Sequence, residues 1–127
     1  MEQDLRAVLL GNAAVFALVS DRVDWGSRRQ GTPLPAAVLY VVSGAEGYTL
    51  KGADGLSVTR VQIDCYGDTY ASAKTLSRAV VAALGGYSDT NFPGVFHVGT
   101  RDDREGGSNE ADRPFRTSLD FNVNWRG

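Results

Sequence analysis

The sequence predicts an α+β fold, a four-stranded and mainly antiparallel sheet with helices packed on one face. Three observations lead there. Phe115 to Trp125 alternates apolar and polar residues with period two, as a half-buried antiparallel strand does. Leu56 to Tyr66 alternates in the same way. Two other stretches, one at the N-terminal end and one after Gly67, carry apolar residues at helical three-to-four spacing instead.

The elements follow in order. Leu5, Val8, Leu9, Val15, Phe16 and Val19 recur at helical spacing, and Gly11-Asn12 interrupts them with a C-cap glycine followed by an N-cap asparagine. Two short helices are expected, Glu2 to Leu10 and Ala13 to Val19. Asp21 to Pro35 holds two glycines, two prolines and Arg28-Arg29, and reads as an irregular connection. Ala36 to Val42 is a short valine-rich run, read as the first strand and buried on both faces or nearly so. Gly44 to Gly55 has four glycines in twelve residues and reads as a long, flexible hairpin tip. In the second strand, Leu56 to Tyr66, Val61, Ile63 and Cys65 point one way while Arg60, Gln62 and Asp64 point the other. Asp68 or Thr69 caps a helix from Tyr70 to Leu84, which Gly85-Gly86 stops. On that helix Ala73, Leu76, Val80 and Ala83 share one face, with Lys74 and Arg78 on the opposite one. Val95 to Thr100 is the third strand. In the fourth, Phe115, Leu119, Phe121, Val123 and Trp125 line the core, opposite Arg116, Ser118, Asp120, Asn122 and Asn124. The second sheet face is therefore expected to be polar and wet.

The composition bounds the function. At 127 residues the chain has the size of one domain, 1–127, and its 43% apolar and 22% charged residues are ordinary globular values. Thirteen basic residues, eleven of them Arg, meet fifteen acidic ones, and the net charge of −2 offers no general field to hold nucleic acid or an acidic membrane. The acid-bearing start is not expected to be a signal peptide, and no apolar run reaches membrane-spanning length, so the chain reads as soluble and cytoplasmic. A single Cys, Cys65, leaves no intrachain disulfide and no cysteine zinc site. The single His, His97, has no Ser or Cys motif to serve as a nucleophile's base and reads as a satisfied or surface side chain. Asp102, Asp103, Glu105, Glu110 and Asp112 cluster, but three arginines intersperse them and the spacing of a calcium loop is missing. The glycines at 44, 47, 52 and 55 form no nucleotide-binding fingerprint. Paired carboxylates, Asp64 and Asp120, are the one catalytic arrangement the composition allows, and their neighbours Arg60, Gln62 and Asn122 predict a hydrated surface in place of an acid–base pair. No enzyme and no cofactor are expected.

With the elements placed, LRAVLLGNAAVFALVSDRV, LPAAVLYVVSG, RVQIDCYGDTYASAKTLSRAVVAAL and FRTSLDFNVNW follow one another over nearly the whole chain. In that order they resemble the small tail-completion, or tail-terminator, proteins of long-tailed phages, prophages and gene transfer agents. The resemblance implies a non-enzymatic morphogenesis protein of the virion tail or neck, assembled in the host cytoplasm. It implies a homo-oligomeric ring, typically a hexamer, that terminates the tail tube and joins it to the head-side connector protein. Six copies at −2 each would carry about −12 around a bore that DNA crosses without specific binding. Asp64, Asp120 and Asn122 are the residues expected on the lumen face. Expected contacts with the tail-tube protein or neighbouring subunits are Tyr48, Leu50 and Lys51 in the hairpin tip, Lys74 and Arg78 on the helix, and Arg101 and Arg104 after the third strand. Two alternatives stay open: another neck or adaptor ring protein of the head–tail connector, and a monomeric small-ligand binding module.

Overall fold

The computed structural model describes residues 2–28, 33–42, 50–51, 56–104 and 114–126. Its elements are α1 (Glu2–Leu10), α2 (Ala13–Val19), β1 (Val23–Trp25), β2 (Ala36–Val41), β3 (Leu50–Lys51), β4 (Leu56–Gly67), α3 (Tyr70–Leu84), β5 (Gly94–Arg104) and β6 (Phe115–Arg126). The strands form one sheet in the order β1-β2-β4-β6-β5, with β3 paired to β4 beside that path. Only β1 and β2 run parallel; every other pair is antiparallel.

The local signals act as the sequence implies. Asn12 accepts a hydrogen bond from the Val15 amide at 3.1 Å and starts α2. Thr69, of the two candidate caps, accepts from the Ser72 amide at 3.0 Å and starts α3. Gly86 takes φ +76 just past α3, a conformation that a side chain disfavours. β4 and β6 pair along their full length, from Leu56 opposite Arg126 to Gly67 opposite Phe115. This register sets Val61, Ile63 and Cys65 beside Phe121, Leu119 and Thr117 on one face. α3 covers that face with Ala73, Leu76, Val80 and Leu84, and Leu5, Leu9, Val15 and Val19 of α1 and α2 complete the core. After α3, the Asp89 carboxylate accepts the amides of Asn91 and Phe92 at 2.8 Å each, and this turn drops Phe92 into the core at 1% exposure.

Two strands were not foreseen. β1 lies inside the stretch read as an irregular connection, and β3 takes Leu50 and Lys51 out of the expected hairpin tip by pairing them with Val58 and Ser57. Both are too short for alternation to register, and each exists because a long neighbour offers it a ladder. The rest of the expected tip, 43–49 and 52–55, lies outside the described residues. β5 is also longer than Val95 to Thr100, and a bulge between His97 and Gly99 lets it continue to Arg104 beside β6.

The two edges of the sheet differ. At β1 the outer side is occupied by α1: Arg6 Nε donates to the Val23 carbonyl at 2.6 Å, Arg6 Nη2 to the Asp21 carbonyl at 3.2 Å, and Trp25 Nε1 to the Glu2 carbonyl at 3.0 Å. At β5, no described segment pairs with the outer side.

Cys65 is fully buried between Ala37 and Thr117 in the ladder. Burial pushes its thiol well above the usual range, and the neighbouring Asp64 carboxylate adds to the shift. The folded protein is therefore expected to resist a thiol-specific colorimetric reagent until denaturant is added. Modification of native protein at the unfolded rate would show that this face of β4 is open.

Candidate functional site

The second face of the sheet is lined from β4 by Arg60, Gln62 and Asp64, each directly opposite Asn122, Asp120 and Ser118 of β6. Short polar side chains at such cross-strand spacing reach one another. Arg60 Nε donates to Asn122 Oδ1 at 2.8 Å. Gln62 Nε2 and Ser118 Oγ both donate to Asp64 Oδ1, at 2.9 and 2.7 Å. Arg101 of β5 reaches Asp120 with Nη2 at 3.3 Å from Oδ2.

This corrects the expectation of a uniformly wet face. Asp64 is only 2% exposed, and Ser118 is buried with it. Val38 of β2, opposite Asp64, is fully buried, and the Arg28 guanidinium lies 5.1 Å from the centre of the Tyr66 ring further along β4. Alternation tells which residues share a face; it does not tell how tightly the polar side chains on it close on one another, as Gln62 and Ser118 do on Asp64. Of the three residues expected to face a lumen, Asp120 and Asn122 are partly exposed and Asp64 is not accessible in the single chain. Asp64 and Asp120 bond to different partners, Gln62 and Ser118 for the first and Arg101 for the second.

A second cluster joins α3 to the far end of β5. Lys74 Nζ lies 2.7 Å from Asp102 Oδ1, Thr117 Oγ1 donates to the same oxygen at 3.1 Å, and Tyr70 Oη donates to Asp102 Oδ2 at 3.3 Å. The Lys74 ammonium also lies 5.6 Å from the Tyr70 ring centre. Lys74 was expected beside Arg78 on the outer face of the helix. It turns toward β5 instead, because the extended β5 brings a carboxylate within its reach, and Arg78 alone stays exposed. Arg101 is exposed on the opposite sheet face, beside Asp120; Arg104 ends β5, and Leu50 and Lys51 lie in β3, while Tyr48 is outside the described residues. Tyr70, Asp102 and Thr117 were missed, since nothing in the sequence around Asp102 reveals a lysine 28 positions earlier as its partner.

Hydrogen bonding to Lys74, with smaller help from Thr117 and Tyr70, holds the Asp102 carboxyl below its usual range, and the bond to Asp102 raises Lys74. A lowered carboxyl contributes stability above its ordinary value and loses it as pH falls through the folded value; a raised lysine contributes below its ordinary value and loses it as pH rises through the folded one. The clamp therefore holds throughout the neutral range. Being solvent-exposed, it is worth little to global stability. Asp102→Asn is expected to lower the melting temperature slightly at neutral pH and not at all once Asp102 is protonated in the parent protein. A deficit that persists at low pH would show that shape, not charge, is what Asp102 supplies.

Beside the clamp, α3 and β5 bound a recess of about 320 Å³ with Leu119 at its base and Arg78 on its rim. His97, further along β5, is exposed; its Nε2 bonds the Gly99 carbonyl at 3.0 Å and Thr100 Oγ1 at 2.9 Å, and its ring lies tilted against Phe121 with 5.3 Å between the centres. It is a satisfied side chain of the bulge. Among the described residues no three His, Cys, Asp or Glu side chains converge as metal ligands, and no helix is long and apolar enough to cross a membrane.

Comparison with known proteins places these surfaces in context. Residues 3–124 match the family model described as "Tail completion protein gp17". A search of curated protein sequences finds no match. Among solved structures, a chain of the "Virion of native gene transfer agent (GTA) particle" shares the fold, with a TM-score of 0.64, 24% identity, and coverage of 97% of this chain and 95% of that one.

Proposed function

We propose a ring-forming role for this chain, on the premise that it belongs to the tail completion protein gp17 family, whose members are structural proteins and not enzymes. In this reading it is one subunit of a hexameric ring in the tail or neck of a virion. The ring terminates the tail tube and joins the tail to the head-side connector protein. The family match over residues 3–124 is the observation that carries the proposal.

The geometry fits such a role. A sheet sealed by α1 at one edge and open at the other gives the chain two unlike flanks, and unlike flanks are what a closed ring of identical subunits uses. Asp120 and Asn122, on the partly exposed part of the second face, are the proposed lumen residues, with Asp64 behind them as a support for Ser118. A net charge of −2 per chain gives passing DNA little to adhere to. Contacts to the tail-tube protein are assigned to the hairpin segment that carries Tyr48, Leu50 and Lys51, and contacts between subunits to the flank with Lys74, Arg78, Arg101 and Arg104.

The test is to make particles without the chain and examine them by negative-stain electron microscopy. Filled heads separate from tails are expected, with joining restored by added protein. Particles that remain joined without it would overturn the proposal. Gold-labelled added protein found on the head side of the connector, away from the tail end, would favour another neck or adaptor ring protein.

A further inference from the structure

We propose that neighbouring copies dock through one anchor: Phe16 of one chain fills the recess between α3 and β5 of the next. The proposal rests on the ring reading above and names the contact that would build it.

A ring of one chain needs two different surfaces that complement each other, at positions from which the contact can repeat. The recess is the concave one. Ser77, Val81 and Ala82 of α3 and Thr100 of β5 form its walls, Leu119 its base, and Arg78 stands exposed on its rim. Its volume of about 320 Å³ admits a single aromatic side chain.

The convex partner must come from the other flank. Six large apolar side chains are exposed among the described residues: Phe16, Val41, Val58, Tyr70, Phe96 and Val98. Phe96 and Val98 lie on β5 itself and Tyr70 on α3, so they belong to the flank that holds the recess and would favour a two-fold pair over a ring. Val58 lies on the second sheet face, opposite Asn124. Phe16, 49% exposed, sits on α2, which packs on α3 and β2 at the far side from β5. Val41, 42% exposed, is on the helix-side face of β2 and extends the apolar surface on that flank.

Charge agrees with this pairing. The flank with Phe16 carries the exposed Asp21 just past the end of α2 and the recess rim carries the exposed Arg78, so the two surfaces bear opposite charges. Phe16 also stands on a helix fixed by its Asn12 cap and by Val15 and Val19 in the core, so little freedom is lost when it docks.

The experiment measures the mass of the purified full chain by size-exclusion chromatography with light scattering, alone and with purified tails. Two variants are compared, Phe16→Ala and Ala82→Arg, both at exposed positions, with melting curves to confirm that each folds. Each variant is expected to associate about tenfold or more weakly than the parent, as loss of an anchor does. Mixing the two is the decisive arm. The Ala82→Arg chain keeps Phe16 and the Phe16→Ala chain keeps an open recess, so one sound contact forms and the mixture gives a 1:1 dimer that does not grow. Variants that both retain the parent's oligomeric mass would overturn this contact and leave the ring reading standing. A parent chain that is monomeric alone and on tails would overturn both.

Discussion

Leu119→Asp is expected to yield no folded protein. Leu119 is 1% exposed in β6, directly opposite Ile63 of β4 and beside α3, at the centre of the core. A carboxylate there loses most of its hydration between its ladder neighbours Ile63 and Thr100, and of the two cations that line the adjoining recess Lys74 is already held by Asp102 and Arg78 is exposed to water. The effective penalty for such an ion is several kcal/mol. The lost leucine packing adds about 2–5 kcal/mol. Together these match the whole stability of an ordinary domain, about 5–15 kcal/mol. Asn122→Asp, three residues on and facing the other way, leaves Arg60 its acceptor and is expected to stay within about 0.5 kcal/mol of the parent. Circular dichroism and solubility of the two variants check the pair. Soluble Leu119→Asp protein that melts cooperatively would show that the faces of β6 are assigned the wrong way round.

Gly67→Ala comes second in expected effect. Gly67 closes β4 where the chain turns into α3, and a Cβ there would collide with the Ala73 amide nitrogen and lie 2.9 Å from the Ser72 Cβ. Those atoms belong to the first turn of the helix, so α3 must move away from the sheet to admit even one methyl group. Overpacking of this kind costs about 1–3 kcal/mol, and the upper end applies where helix backbone is what must yield. For a chain of this size that is a fall in melting temperature of roughly 10 °C. Gly26→Ala has open space around it and serves as a contrast, because its φ of +86 penalises the backbone alone. A Gly67→Ala protein that melts with the parent would mean that the β4–α3 junction is looser than its geometry implies.

The legible part of this fold is the part set by periodicity. α1, α2 and α3 run between the residues that caps and spacing indicate, and β6 differs from its expected span only at Arg126. Helix caps and period-two patterns are local, so one segment suffices to read them. What stayed hidden depends on a partner distant in sequence. β1 is three residues long and exists through β2 and Arg6; Asp64 is buried where Gln62 and Ser118 of the neighbouring strand positions close on it; Lys74 turns toward the sheet because β5 reaches Asp102. The candidate surfaces divide in the same way. Arg78 and Arg101 are exposed as expected, whereas the recess at Leu119 appears only when α3 and β5 are set side by side.

The place of β6 in the sheet has a consequence for the order of events during synthesis. β5 finds its strand partner only in β6, which the ribosome makes later, and β6 is also the strand that inserts between β5 and β4. Until it emerges, β4 shows an unpaired edge beside Val61 and Ile63, and α3 has half of its floor. Pairings this distant along the chain form slowly compared with local ones. A chain whose β6 has not yet paired therefore cannot present the α3–β5 recess, however much of α3 has already folded. Copies become competent to join one another only once β6 has paired, and any assembly they build draws on chains whose sheet is complete.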